Sequence, residues 1–233
     1  MNIEEARELF RNKSVVLVGN SVELMNYEYA DFIDSHDIVV RFGKAIEANE
    51  SEKKAIGTKL DVWVTGSFRA EMIRMQPYMD MLKNIPILYV RSRIHMNKSH
   101  KKIREVKHSL DMFSDEEIIS IYKEYGIKSG DHDARRFSAG LWTIKFFCEK
   151  IQTQKSLTLI GFDFFVKSTT KRRAGNSDPC SWHRPIGLGT RETHWHDQEV
   201  KIVNEFKDQG RLNWVVLSDL KPEVINDTTF GRF

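Results

Sequence analysis

SVVLVGNSVELMNYEYADFIDSHDIVVRFGKAIEANESEKKAIGTKLDVWVTGS, spanning Ser14–Ser67, holds three short apolar runs separated by turns and helix-forming sequence. The first, SVVLVG (Ser14–Gly19), is continuous rather than alternating, the pattern of a parallel strand buried on both faces. It breaks at Gly19-Asn20-Ser21, and helical spacing follows from about Val22 to Phe32. A strand, a glycine turn and a helix in that order bring backbone N–H groups to a point where a phosphate can sit. DIVVRF (Asp37–Phe42) and KLDVWV (Lys59–Val64) read as a second and a third buried strand, the third ending in Thr65-Gly66-Ser67.

Outward from this stretch the alternation continues. Residues 3–11 form a short helix ahead of the first strand, Arg69–Leu82 has helical apolar spacing, and Ile85–Val90 is a fourth strand with Pro86 near its start. Residues 97–126 are richly charged. Within them Ser114 reads as a helix N-cap, with Glu117 three residues on completing a capping box. Ala139–Lys150 is patterned as a buried helix, Ser156–Ile160 as a fifth strand ending at Gly161, Asp197–Gln209 as an amphipathic helix and Trp214–Leu217 as a sixth strand. Strand and helix alternating end to end predict an α/β fold: one Rossmann-like domain over residues 1–233, a mostly parallel sheet with helices on both faces. Sheets of this kind bind ligands outside the carboxyl ends of their strands, and here those ends are small or polar. The long polar stretch 166–192, rich in glycine and proline, is expected to act as a lid loop.

Composition narrows the class. Hydrophobic residues make up 40% and charged residues 30% of the 233, a globular balance that argues against wholesale disorder. A formal net charge of +3 is too weak to point to nucleic acid, although it suits an acidic small-molecule donor. The two cysteines, Cys148 and Cys180, exclude a disulfide scaffold and suit a reducing compartment. The amino terminus, MNIEEARELFRNK, has no apolar core of a secretory signal, and no apolar run approaches the roughly 20 residues that span a bilayer. The chain is therefore expected to be cytoplasmic. Basic runs at Lys98–Lys107 and Lys171–Arg173 are ordinarily solvated surface, and leave open a peripheral association with an anionic membrane surface.

The motifs of Val15–Ser67 resemble the large sialyl motif of glycosyltransferase family 29: G-N-S after the first strand, I-D-S-H-D before the second, R-F with A-x-x-A-N, and G-T-K before the third. Phe137-Ser138-Ala139-Gly140-Leu141 through Gly161-Phe162 is similar to the small sialyl motif, and His194-x-x-x-x-Glu199 to the very small motif. Trp182-His183 falls where an aromatic, histidine-rich third motif belongs, and the Gly161–Phe164 and His194 regions also resemble the bacterial sialyltransferases of family 42. The sequence departs from the pattern at Gly43, where the family usually has an Asn that contacts the donor, and at Ser14, where secretory relatives carry a cysteine.

The resemblance implies a GT-A-like sialyltransferase variant. It would transfer sialic acid or a related ulosonic acid from a CMP-sugar donor to an oligosaccharide or glycolipid hydroxyl, inverting the anomeric centre, without a metal or other cofactor. On this reading Asn20 and Ser21 bind the donor phosphate, Ser138, Ala139 and Gly140 the ribose, and Gly161, Phe162 and Asp163 the cytosine, while Arg41, Gly43 and Trp182 complete the donor site. His194 is the base that takes the acceptor proton, since an imidazole titrates near working pH, and His183 faces the departing phosphate. Plainer roles remain for several of these: a turn with a cap at Asn20-Ser21, a strand-ordering ion pair at Arg41, and a capping partner in Glu199. A metal site, in the D-x-D pattern of Asp131-His132-Asp133 or at His183, His194 and His196, is the rival to metal-free chemistry, but a single departing phosphate needs less charge compensation than a diphosphate. A CMP-Kdo transferase or other nucleotide-using enzyme on the same scaffold, and a catalytically silent nucleotide- or glycan-binding protein, are the alternatives.

Overall fold

The structure, a computed structural model, describes residues 1–21, 24, 28–43, 50–65, 84–89, 109–127, 137–162 and 196–215. In chain order these form α1 (Ile3–Phe10), β1 (Ser14–Val18), α2 (Ala30–Asp34), β2 (Ile38–Phe42), α3 (Glu50–Ile56), β3 (Val62–Thr65), β4 (Ile87–Tyr89) and β5 (Ser109–Asp111). There follow α4 (Asp115–Glu124), α5 (Ala139–Lys145) running on as a π-helical turn over Phe146–Ile151, β6 (Ser156–Ile160), α6 (His196–Asp208) and β7 (Asn213–Val215). The strands make one 7-stranded sheet in the order β5-β4-β3-β2-β1-β6-β7, and every pairing is parallel.

That order fixes where a ligand can enter. From β1 the chain builds outward through β2, β3, β4 and β5, then returns to lay β6 on the other side of β1. Between β1 and β6 the winding reverses, and the crevice outside the carboxyl ends of two such strands is the natural binding place in an open α/β sheet. The register sets Val18 beside Ile160, so the turns after both strands leave the sheet at the same level.

Side chains alternate between two cores. Val15, Leu17, Val40, Val62, Val64, Leu157 and Leu159 face α1, α4, α5 and α6. Val16, Val18, Val39 and Ile160 face α2 and α3. The central strands are buried on both sides, as their continuous apolar runs require. Helix starts follow local chemistry: Asn2 with Glu5, and Ser114 with Glu117, each close a reciprocal capping box.

Two expectations need correction. β5 lies inside the charged 97–126 segment and was not expected as a strand; its three residues exist by pairing with β4, a tertiary cause that local sequence does not carry. Of the helix expected over Val22–Phe32, residues 22, 23 and 25–27 lie outside the described residues, Glu28 and Tyr29 are not helical, and α2 runs over Ala30–Asp34. The stretches 69–82 and 166–192, and Cys180, lie outside the described residues, while Cys148 is a buried free thiol whose pKa burial pushes up to about 12.

Candidate active site

At the reversal point the chain after β1 and the chain after β6 touch backbone to backbone. The Gly19 N–H donates to the Ile160 carbonyl (2.8 Å) and the Ser21 N–H to the Gly161 carbonyl (3.1 Å). A Cβ on Gly19 would stand 2.2 Å from the Gly161 carbonyl oxygen, which is why this turn needs a bare Cα. Two of the turn's N–H groups are consumed holding β1 to β6, and what the turn presents outward is exposed Asn20, with Ser21 buried beneath it.

The small-motif residues come to the same edge. Ser138 is the N-cap of α5, its hydroxyl accepting from the Leu141 N–H (3.2 Å). Ala139 and Gly140 follow half-buried, and a Cβ on Gly140 would sit 2.8 Å from the Phe162 ring and 3.5 Å from Ser138 Oγ. Phe162 stands edge-on to Phe42 at 5.7 Å, and its carbonyl accepts from the Trp214 indole N–H at 3.3 Å. Asn20–Ser21, Ser138–Gly140 and Gly161–Phe162, far apart in sequence, thus line one edge.

Glu199, in the first turn of α6, is fully buried behind them. Its Oε1 accepts from the Ser138 N–H (2.5 Å) and its Oε2 from the Ser138 hydroxyl (2.7 Å). Burial drives its pKa up from the ordinary 4.5 to about 7, against the lowering effect of those two bonds. The sequence offers Glu199 only as a supporting or capping group; its spacing from His194 is legible, its partner is not.

Arg41 stands beside Val18 in the β1–β2 register, near the carboxyl end of β2. It is 2% exposed on the α2–α3 side of β2, where Nε donates to the Lys59 carbonyl (2.8 Å), Nη2 to the Ile56 carbonyl (2.6 Å), and Asp34 lies 3.6 Å away. Desolvation lowers its pKa to about 10 while the Asp34 charge opposes that. These are the contacts of a residue that ties α3 and the following loop to the sheet. Gly43 ends β2 with φ 51°, and its carbonyl accepts from the Trp63 indole N–H at 2.8 Å. Asp163, Trp182, His183, His194 and the Asp131-His132-Asp133 segment lie outside the described residues. Among the described residues no group of three His, Cys, Asp or Glu side chains could hold a metal ion, and no helix is long and apolar enough to cross a membrane.

The overall fold, a single parallel α/β sheet reversing between β1 and β6, is similar to that of solved sialyltransferase structures. Sialyltransferase CstII from Campylobacter jejuni, in complex with cytidine-5′-monophosphate, is similar over 89% of this chain and 80% of its own, at 13% identity and a TM-score of 0.55. The sialyltransferase CST-II in complex with a trisaccharide acceptor and CMP is similar over 90% and 83%, at 12% identity and a TM-score of 0.51. A mammalian sialyltransferase in complex with Gal-beta-1-3GalNAc-ortho-nitrophenol covers 90% and 71%, at 16% identity and a TM-score of 0.49. No sequence family and no curated protein matches the chain.

Proposed function

We propose that the protein is a sialyltransferase that moves sialic acid, or a related ulosonic acid, from a CMP-sugar to a glycan hydroxyl. The observation that carries this reading is the convergence of Asn20–Ser21, Ser138–Gly140 and Gly161–Phe162 at the β1–β6 reversal point. Three segments that resemble sialyl motifs in sequence are the three that the fold assembles where its ligand belongs. The Asn20 side chain faces the phosphate, the Ser138 hydroxyl the ribose, and the Phe162 region the cytosine. Asp163 and Trp182 complete the donor pocket in this scheme.

Chemistry requires a base for the acceptor hydroxyl. His194, two residues before α6 in sequence, takes that proton, and His183 stabilises the departing CMP phosphate. Displacement at the anomeric carbon inverts its configuration and proceeds without a metal, because the sugar carboxylate and one phosphate carry the developing charge. Transfer takes place in the cytoplasm, with the 166–192 segment closing over the donor.

Donor binding is checked by thermal shift with CMP, CDP, UDP and GDP. Cytidine nucleotides at about 100 times their Kd should stabilise by roughly 2.7 kcal/mol, and the others much less. Equal shifts with all four would remove the donor assignment, and a transfer assay with CMP-Neu5Ac and CMP-Kdo separates the two sugar classes. His194→Ala should lower kcat about 10²–10⁴-fold with CMP affinity retained. Loss of turnover on chelation, restored by Mn²⁺ or Mg²⁺, would replace the metal-free scheme.

A further inference from the structure

A serine hydroxyl has one hydrogen to donate and two lone pairs with which to accept. At Ser138 the hydrogen is directed to Glu199 Oε2 (2.7 Å) and one lone pair accepts from the Leu141 N–H (3.2 Å). The Ser138 N–H is also committed, to Glu199 Oε1 (2.5 Å). One lone pair remains, on a residue that is only half-buried and lies next to the bare Cα of Gly140. The carboxylate that takes both donors is fully buried and, among the described residues, has no cationic partner.

We propose that Glu199 is the positioning residue of this site: by accepting both donors of Ser138, it leaves that hydroxyl able to offer a ligand only an acceptor lone pair. The site then selects a ligand hydroxyl that donates, and discriminates against one replaced by hydrogen or fluorine. The inference rests on the reading that Ser138 faces the ribose of a bound CMP. It goes beyond that reading by assigning a polarity to the contact and a residue that sets it. A purely structural clamp between α5 and α6 would predict no such polarity.

The polarity can be reversed with one atom. In Glu199→Gln the side-chain oxygen still accepts the Ser138 N–H, but the amide NH₂ donates to Ser138 Oγ. Both serine lone pairs are then filled and its hydrogen turns to the ligand.

The experiment is calorimetric titration at pH 8.5, where Glu199 is ionised, of CMP and its 2′-deoxy, 3′-deoxy, 2′-fluoro and 3′-fluoro forms. For the wild type, deoxygenation at one of the two positions should weaken binding about tenfold, the loss of one buried hydrogen bond. Fluorine at that position should be no better than hydrogen, since it faces a lone pair. In Glu199→Gln the fluoro form should bind more tightly than the deoxy form, because fluorine now meets an O–H. A wild type that prefers fluorine to hydrogen overturns the proposal without any variant, so a Glu199→Gln protein that failed to fold would not protect it. An unchanged rank order in a folded Glu199→Gln overturns it too, leaving Glu199 a structural clamp while CMP binding stands. A folded wild type that binds no CMP removes the donor reading, and the ribose polarity falls with it.

Discussion

Two serine–carboxylate pairs sit at opposite ends of the sheet and make the same two bonds. At the amino end Asp37 Oδ2 accepts from the Ser14 N–H and from the Ser14 hydroxyl, both at 2.8 Å. At the carboxyl end Glu199 accepts from the N–H and hydroxyl of Ser138 at 2.5 and 2.7 Å. Asp37 is exposed, and its bonds to Ser14 hold its pKa below the ordinary value. Glu199 is buried, and desolvation overrides equivalent bonds to raise its pKa to about 7. Hydrogen bonding alone therefore does not decide a carboxylate's state; access to water does. The amino edge is stitched by solvated carboxylates, with Asp34 accepting from Thr58 and Lys59 N–H groups and Asp61 from Val39. At the carboxyl edge Glu199 is buried and closely approached by Ser138, the environment in which functional groups acquire shifted pKa values.

The largest effect that would sharpen this contrast is the pH dependence of stability. A glutamate whose pKa rises on folding favours the folded state fully below its unfolded value near 4.5. That advantage is lost as pH climbs to about 7, on the order of 3 kcal/mol in all. Urea unfolding at pH 4.5, 6 and 8 should show this decline in the wild type and its absence in Glu199→Gln. Asp37→Asn should remove a dependence of the opposite sign, stability present above the ordinary aspartate range and lost on acidification. Declines of equal size in wild type and Glu199→Gln would mean the buried carboxylate is no different from its exposed counterpart.

Next in size is Asp34→Ala. It strips acceptors from two backbone N–H groups and the counter-charge from buried Arg41. Because Asp34 is itself partly exposed, the cost should be about 2–3 kcal/mol rather than the figure for a fully buried pair. The folded fraction should bind CMP within about threefold of wild type, an estimate set by the size of small indirect couplings. A much larger loss would move Arg41 back into the donor site. Gly140→Ala makes the reciprocal test at the other edge. Its Cβ meets the Phe162 ring at 2.8 Å, a clash a ring can relieve by moving, so stability should fall by only about 1–2 kcal/mol. Nucleotide affinity should drop by at least tenfold, since the Phe162 ring is displaced from its place at this edge.

How much of this was legible beforehand follows from where each signal is stored. β1, β2 and β6 announce themselves through short runs rich in Val, Leu and Ile, and Ser114 with Glu117 through a local capping box. β5 could not be read, because three residues in a charged segment become a strand only when β4 is beside them. Within the large-motif stretch, Asn20 and Arg41 look alike as strand-end polar residues. One is exposed at the reversal point, and the other is buried against Ile56, Lys59 and Asp34. The Ser138–Glu199 pair joins residues sixty-one apart, and no spacing rule reports a contact at that range.

Gly43 follows the carboxyl end of β2 and gives the smallest effect and the finest test. Its φ of 51° is left-handed, a region that costs an ordinary L-residue about 1–2 kcal/mol and that asparagine enters more readily than most. Its one described bond is made by a backbone carbonyl, to the Trp63 indole, and survives any side chain. Gly43→Asn, which restores the residue sialyl motifs usually carry there, should therefore lose under about 1 kcal/mol, and Gly43→Val more. If the position belongs to the donor edge, Gly43→Asn should also lower KM for the CMP-sugar while leaving kcat nearly fixed, the signature of added ground-state contact. If it belongs to the stitched framework, stability will follow the order Gly, Asn, Val and KM will not move. Denaturation midpoints and KM measured on the same three proteins decide between these, and a rise in KM for Gly43→Asn alone would show that the glycine is an adaptation of this site and not a neutral substitution.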